Sequence, residues 1–174
     1  MLRILQRIAI TGTPTEAPPT TDDAELEALG IEVHRTLDAR FSGSLAIRQV
    51  DAGSCNGCEL EIHALNNPYY DVERFGVHFV ASPRHADALL VTGPVSRHME
   101  TALRRTWRAM PSPKLVIAAG ECACNGGIFG TSYASCGGVD RVIPVDVRIP
   151  GCPPTPRVLL QGLLAVLRAK PRGG

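Results

Sequence analysis

Two short apolar runs constrain the fold of this chain more than any other part of its sequence. Ala88–Thr92 (ALLVT) and Leu115–Ala119 (LVIAA) are apolar at nearly every position, and each run is followed by a glycine. Strands that are apolar on both sides are typical of parallel sheets with both faces covered. Between these runs, Arg97–Met110 has helical spacing, with apolar side chains on one side and arginines on the other. The sequence therefore predicts strands that alternate with helices.

The remaining predicted elements extend this alternation. Further strands are predicted at Leu45–Val50, Gly76–Ala81 and Val142–Ile149, and further helices at Glu59–Asn66 and Pro156–Ala169. The predicted fold class is α/β, a small flavodoxin-like doubly wound parallel sheet. A chain of 174 residues is long enough to bury a substantial hydrophobic core in one such domain.

Residues 1–43 are predicted to form an extended N-terminal arm ahead of an α/β domain over residues 44–174. Residues 1–10 have the pattern of a short basic amphipathic helix, either frayed or docked on a partner, with contact to a membrane surface as the alternative. Thr11–Asp23 is rich in proline and threonine, which predicts an extended linker. Asp22 or Asp23 is predicted to cap a short helix that runs through Leu29 and ends at Gly30.

Composition excludes several classes of function. The formal net charge is +1 and aromatic residues are 5% of the chain, so neither an electrostatic nor a stacking surface for nucleic acid is expected. The apolar run at the start is too short and interrupted for a signal peptide, and no stretch has the length of a transmembrane helix. Six cysteines in a chain of cytosolic character favour metal binding or redox chemistry over a disulfide framework.

Cysteines follow three of the predicted strands. Cys55 and Cys58 follow the first strand, Cys122 follows the fourth, and Cys152 follows the fifth. Because the loops after parallel strands gather at one edge of a sheet, three groups that are far apart in sequence are expected to meet there. The pattern predicts a site built from four thiolates.

Thiolates are soft ligands, and four of them select zinc or an iron–sulfur cluster. Structural zinc usually takes paired C-x-x-C knuckles, whereas only one pair is present, so an iron–sulfur cluster is the preferred interpretation. Glycines near the cysteines are expected to let the backbone approach the cluster and to aim N–H groups at its sulfurs: Gly53, Gly57, Gly120, Gly126, Gly127 and Gly151.

Other interpretations stay open on the residues alone. The C-x-x-C pair is also compatible with a redox disulfide or with structural zinc. Cys124 is an alternative ligand to Cys122, although Cys124 and Cys136 are best explained as small residues that are buried or lie near the cluster. Glu59 and Glu61 lie early in a predicted helix, where the dipole favours carboxylates, and a proton-relay role for either is an alternative.

Several motifs in fixed order resemble a known family. They are C-N-G-C-E-L-E-I, S-P-R-H-A-D, G-E-C-A-C-N-G-G-I-F, V-I-P-V-D-V and P-G-C-P-P-T-P, and the resemblance extends from about Leu45 to Leu167. This pattern resembles the family formed by the 20 kDa subunit of NADH-quinone oxidoreductase and the small subunits of [NiFe] hydrogenases. It is most similar to the small subunits of group 4 membrane-bound [NiFe] hydrogenases, of the formate hydrogenlyase and CO-induced type.

The respiratory subunit has two adjacent cysteines at the first motif, whereas Cys55 and Cys58 are separated by two residues, as in the hydrogenases. Uptake hydrogenases carry a twin-arginine signal and a C-terminal extension with two further clusters, and neither is seen here.

The resemblance implies one [4Fe-4S] cluster, the proximal one, held by Cys55, Cys58, Cys122 and Cys152. Gly120, Gly126 and Gly127 fit the family's third-ligand motif, which favours Cys122 over Cys124, although the second cysteine of GECACNGG departs from the family pattern. No catalytic residue is expected in this chain, because the resemblance places the [NiFe] centre in a partner subunit.

The resemblance also implies a function in electron transfer. The chain is expected to relay electrons between ferredoxin-like iron–sulfur subunits and a hydrogenase large subunit. It is expected to work beside integral membrane subunits, as a peripheral protein on the cytoplasmic side of the cell membrane. The alternatives are the equivalent subunit of a respiratory quinone-reducing complex, a hydrogenase-like complex whose large subunit lacks its metal, and a zinc-stabilised binding module.

Overall fold

A five-stranded parallel sheet organises the computed structural model, which describes residues 2–11 and 23–168. The strands are β1 (Leu45–Asp51), β2 (Val77–Phe79), β3 (Ala88–Thr92), β4 (Leu115–Ala119) and β5 (Val147–Ile149). Their spatial order is β2-β1-β3-β4-β5, and every neighbouring pair is parallel. This is the flavodoxin-like order of a doubly wound sheet, so the predicted fold class is confirmed.

Helices cover both faces of the sheet. The α-helices among the described residues are α1 (Leu2–Thr11), α2 (Asp23–Phe41), α3 (Gly57–Ala64), α4 (Arg97–Ala109), α5 (Glu121–Asn125) and α6 (Pro156–Arg168), of which α2, α4 and α6 cover the sheet. On one face, α2 and α6 pack on each other and on the side chains of Ile47, Leu90 and Ile117. On the other face, Leu103 of α4 belongs to a second apolar cluster with Leu89. Each fully buried aliphatic side chain of this kind contributes about 1.5–3 kcal/mol to the hydrophobic stabilisation of the fold.

The central strands have the boundaries that the sequence predicts. All five residues of β3 and all five of β4 are buried, and they pair in register from Ala88 opposite Leu115 to Thr92 opposite Ala119. A strand buried on both faces is mostly apolar, which is why its run is so clear in the sequence, and the buried Thr92 hydroxyl donates to the carbonyl of Val50.

The outer strands are shorter than predicted. Strand β2 covers Val77–Phe79 instead of Gly76–Ala81, and β5 covers Val147–Ile149 instead of Val142–Ile149. Before β5 the chain forms a 3-10 turn at Val139–Arg141, and Val142 and Ile143 are buried in the cluster beneath α4. Their apolar character therefore reports burial in a loop and not strand pairing.

The predicted end of the second helix at Gly30 is wrong, because α2 continues through Gly30 to Phe41. Gly30 is buried against the Phe75 ring, and an added Cβ would lie 2.1 Å from the nearest ring carbon. The glycine therefore provides space for a neighbour and does not end the helix. Leu26, Val33 and Leu37 of α2 are part of the core, while the division of the chain at residue 43 stays a prediction. The linker predicted at Thr11–Asp23 lies largely outside the described residues.

Candidate metal centre

The C-x-x-C segment leaves the end of β1 in a tight, hydrogen-bonded loop. The Asp51 carboxylate accepts from the amides of Gly53 and Ser54, each at 2.8 Å, as an aspartate-anchored turn does. Asn56 has a φ of 71° and precedes α3 without a side-chain capping bond. Cys55 therefore lies just before α3 and Cys58 in its first turn.

The loops after β4 and β5 are joined by backbone hydrogen bonds. The amide of Gly120 donates to the carbonyl of Ile149 at 2.8 Å, and the amide of Glu121 donates to the carbonyl of Gly151 at 2.9 Å. These bonds place Cys122, in the first turn of α5, beside Cys152. The two segments are far apart in sequence, and the adjacency of β4 and β5 brings them together.

Cys55, Cys58, Cys122 and Cys152 line one cavity of about 140 Å³ at the carboxyl edge of the sheet. The four cysteines that the sequence singles out therefore face the same space. Beside it lies a larger cavity of about 470 Å³, lined by three of these cysteines together with Ile128 and Phe129. The ligand assignment itself stays a prediction.

Two glycines let the backbone come unusually close to the sulfurs. A Cβ at Gly120 would lie 2.5 Å from Sγ of Cys58, and a Cβ at Gly127 would lie 2.7 Å from Sγ of Cys122. Any other residue would push these sulfurs out of place, so both glycines, which form a cradle for the two sulfurs, are needed for their observed positions. The approach of the backbone to a cluster stays a prediction.

The N–H groups of four of the glycines make hydrogen bonds within or between the cysteine loops. The amides of Gly120, Gly126 and Gly127 donate to oxygens of Ile149, Cys122 and Asn125, and the amide of Gly53 donates to Asp51. The contacts expected between glycine N–H groups and cluster sulfurs stay a prediction.

The thiols destabilise one another's ionised forms. Burial, followed by the Glu59 carboxylate and the three other cysteines, raises the pKa of Cys58 from 9.0 to about 12. Burial, then Cys152, Cys55 and Glu121, also raises the pKa of Cys122. Four thiolates in one cavity therefore need a cationic partner, and a bound metal deprotonates its thiol ligands. The donor set and the cradle fit an iron–sulfur cluster with four thiolate ligands.

Cys124 and Cys136 face away from this cavity. The Cys124 thiol donates to the carbonyls of Ala118 and Ile149 at 3.5 and 3.6 Å, and burial above all raises its pKa to about 11. Cys136 is buried and its thiol donates to Glu100 at 3.4 Å. Cys136 is thus a small buried side chain, and Cys124 is a partly buried one that packs against the same apolar cluster.

Two polar features near the cysteines go unpredicted. Glu59 is only 6% exposed, and neither of its carboxylate oxygens has a hydrogen-bond partner among the described residues. Asn125 accepts from the amide of Gly127 at 2.7 Å and donates to Glu121 at 2.9 Å. Asparagine ahead of glycines is a turn signal, so Asn125 was accessible to sequence reasoning. Burial of Glu59 has no such signal.

Two features are absent from residues 2–11 and 23–168. No three His, Cys, Asp or Glu side chains there are grouped in a way that would hold a single metal ion. None of the helices in these ranges has the length and apolar character to cross a membrane.

Proteins similar to this chain include subunits of membrane-bound complexes. Formate hydrogenlyase subunit 7 of Escherichia coli is 45% identical over 81% of this chain and 60% of its own length. This chain thus spans about three fifths of that relative. A probable membrane-bound hydrogenase subunit of Pyrococcus furiosus is 50% identical over 68% of this chain and 71% of its own length. A chain in the structure of the membrane-bound sulfane sulfur reductase, an archaeal respiratory membrane complex, has 35% identity and a TM-score of 0.65, covering 79% of this chain and 75% of that one.

The family model that matches is the NADH ubiquinone oxidoreductase 20 kDa subunit, over residues 55–166. The match includes all four cysteines of the cavity and ends within α6. Together with relatives that are named as a formate hydrogenlyase subunit and a probable membrane-bound hydrogenase subunit, it confirms the resemblance predicted from the motifs. This chain belongs to the NADH ubiquinone oxidoreductase 20 kDa subunit family.

Proposed function

We propose that this chain is the electron-transfer small subunit of a membrane-bound [NiFe] hydrogenase complex. It carries one proximal [4Fe-4S] cluster on Cys55, Cys58, Cys122 and Cys152. The observation that supports this most directly is the meeting of four thiols, from three separate loops, around one cavity. The spacing of Cys55 and Cys58 and the names of the hydrogenase relatives support the hydrogenase assignment.

The chain's own residues hold and shield the cluster. A bound [4Fe-4S] cluster accepts and releases single electrons, and its potential depends on nearby charge, hydrogen bonds and solvent. The four thiolates fix its position, while Gly120 and Gly127 give their sulfurs room. The protein supplies position and electrostatics, and the bond chemistry of hydrogen takes place at a [NiFe] centre in the large subunit.

An exposed apolar surface next to the cysteines is the proposed contact with the large subunit. Ile128 and Phe129 line the larger cavity and are 95% and 56% exposed, and Leu60 of α3 is 62% exposed. Exposed apolar side chains grouped beside a site favour burial against a partner. The large subunit would cover this surface, a ferredoxin-like subunit would deliver electrons, and membrane subunits would hold the complex on the cytoplasmic side.

Purification in the absence of air, with the subunits that accompany the chain, tests this proposal. About four irons and four sulfides per chain are expected, with absorbance at roughly 400 nm from the thiolate-bound cluster. Nickel is expected in the accompanying large subunit. Zinc without sulfide would refute the electron-transfer function and leave a structural module.

A second function is favoured by the structural match to a respiratory sulfane sulfur reductase and by the name of the family. In this alternative the chain carries the same cluster in a quinone-reducing or hydrogenase-like complex. Four irons without nickel in the purified complex would favour it. The separation of Cys55 from Cys58 argues for the hydrogenase type.

A further inference from the structure

An acidic residue, Glu121, lies in the wall of the cysteine cavity. Glu121 begins α5, directly before Cys122, and it lines both the cavity between the four cysteines and the larger cavity next to it. Its backbone is fixed as well, because its amide donates to Gly151 at 2.9 Å. Glu121 is thus a half-buried residue whose backbone position at the site is fixed.

Asn125 holds this carboxylate in place. Its side-chain amide donates to Oε2 of Glu121 at 2.9 Å, and its side-chain oxygen accepts from the amide of Gly127 at 2.7 Å. Gly127 in turn lies against Sγ of Cys122. One side chain therefore links the position of the carboxylate to that of the Cys122 sulfur.

Glu121 lines the cavity as the residue directly before Cys122. A negative charge at that position disfavours the addition of an electron to a cluster bound by the same cysteines, because like charges repel more strongly in a partly buried site than in water.

We propose that Glu121, clamped by Asn125, is a potential-setting residue that lowers the reduction potential of the cluster. This inference rests on the proposed function, because it needs the cluster to be present. Asn125 acts through Glu121 and through the Gly127 turn, and it is a positioning residue.

The test is a redox titration of the full chain after air-free assembly of the cluster, followed by electron paramagnetic resonance of the reduced cluster. Glu121→Gln removes the charge with almost no change of shape, and we expect its midpoint potential to rise. A tenfold change in the reduction equilibrium is the scale expected for one charge in a partly exposed site, which is about 59 mV for one electron. Asn125→Ala keeps the charge but releases it, so a smaller rise and a broadened spectrum are expected.

Glu73→Gln is the matched control, because it removes the same charge from an exposed side chain in the 3-10 turn before β2. Its midpoint potential is expected to equal that of the parent chain. Equal potentials for Glu121→Gln and Glu73→Gln would overturn the inference, while the cluster itself would still be there. A parent chain that assembles no cluster would instead refute the proposed function.

Discussion

The replacement Gly120→Ala tests the cysteine cradle most directly. Gly120 has φ 90° and ψ 155°, a region that only glycine adopts readily, so an alanine there costs about 1–3 kcal/mol of backbone strain. The new Cβ would also lie 2.5 Å from Sγ of Cys58. Ordinary contacts between such atoms are about 3.5–4.0 Å, so the sulfur has to move by roughly 1 Å. Metal sites tolerate about 0.2 Å, and we therefore expect the variant to lose most of its cluster.

Gly130→Ala separates the two contributions. Gly130 also has a positive φ, 53°, but an added Cβ there meets nothing within 4 Å. Both variants are expected to lose about 1–3 kcal/mol of stability from backbone strain, measured by thermal unfolding. Only Gly120→Ala is expected to lose iron and sulfide, counted per chain after air-free assembly. A full iron count in Gly120→Ala, or an equal loss in Gly130→Ala, would show that the contact with Cys58 does not shape the site.

Three further replacements test other parts of the structure. The Cys124→Ser variant is expected to keep its iron, because a serine hydroxyl can donate to the same carbonyls as the Cys124 thiol. The Cys122→Ser variant is expected to lose its iron. Iron analysis of the two variants shows which cysteine the cluster needs. Gly30→Ala is expected to destabilise the chain in urea unfolding. Overpacking against Phe75 costs about 1–3 kcal/mol, whereas the gain in helix propensity is about 1 kcal/mol. If a second replacement, Phe75→Leu, restores none of the lost stability, the ring is not the cause. The pKa of Glu100 is lowered mainly by its hydrogen bond to an arginine of α4, so its contribution to stability is present above the ordinary carboxyl pKa and lost as the pH falls. In the Glu100→Gln variant, the free energy of unfolding is therefore expected to fall less as the pH is lowered. An unchanged fall at acid pH would contradict this.

The centre of the sheet was predictable because burial on both faces leaves a strong mark in the sequence. β3 and β4 have the predicted boundaries, and the cysteines that follow the strands meet where parallel topology requires. The edge elements were less predictable. Val142 and Ile143 look like strand residues but are buried in a loop, because apolar character records burial and not pairing.

Details that depend on contacts between distant residues had no local signal. Gly30 is a helix terminator by its residue type, yet its role is set by Phe75, which is remote in sequence. By residue type Cys122 and Cys124 are equivalent, and only the resemblance to the family motif favoured Cys122. In the structure, the turn of α5 directs Cys122 to the cavity and Cys124 to the carbonyls of Ala118 and Ile149. The burial of the Glu59 carboxylate likewise had no local signal, because glutamate is a residue type that is usually exposed.

The position of β5 at the edge of the sheet has a consequence for how this protein matures. Cys152 follows β5, so a ribosome releases the other three cysteines of the cavity well before the fourth. A nascent chain therefore exposes an incomplete set of thiols that can oxidise or capture the wrong metal. Under the proposed function, complete ligation of the cluster therefore waits until β5 has paired with β4, and α6, which follows β5 and packs against α2, joins the core at the same late stage.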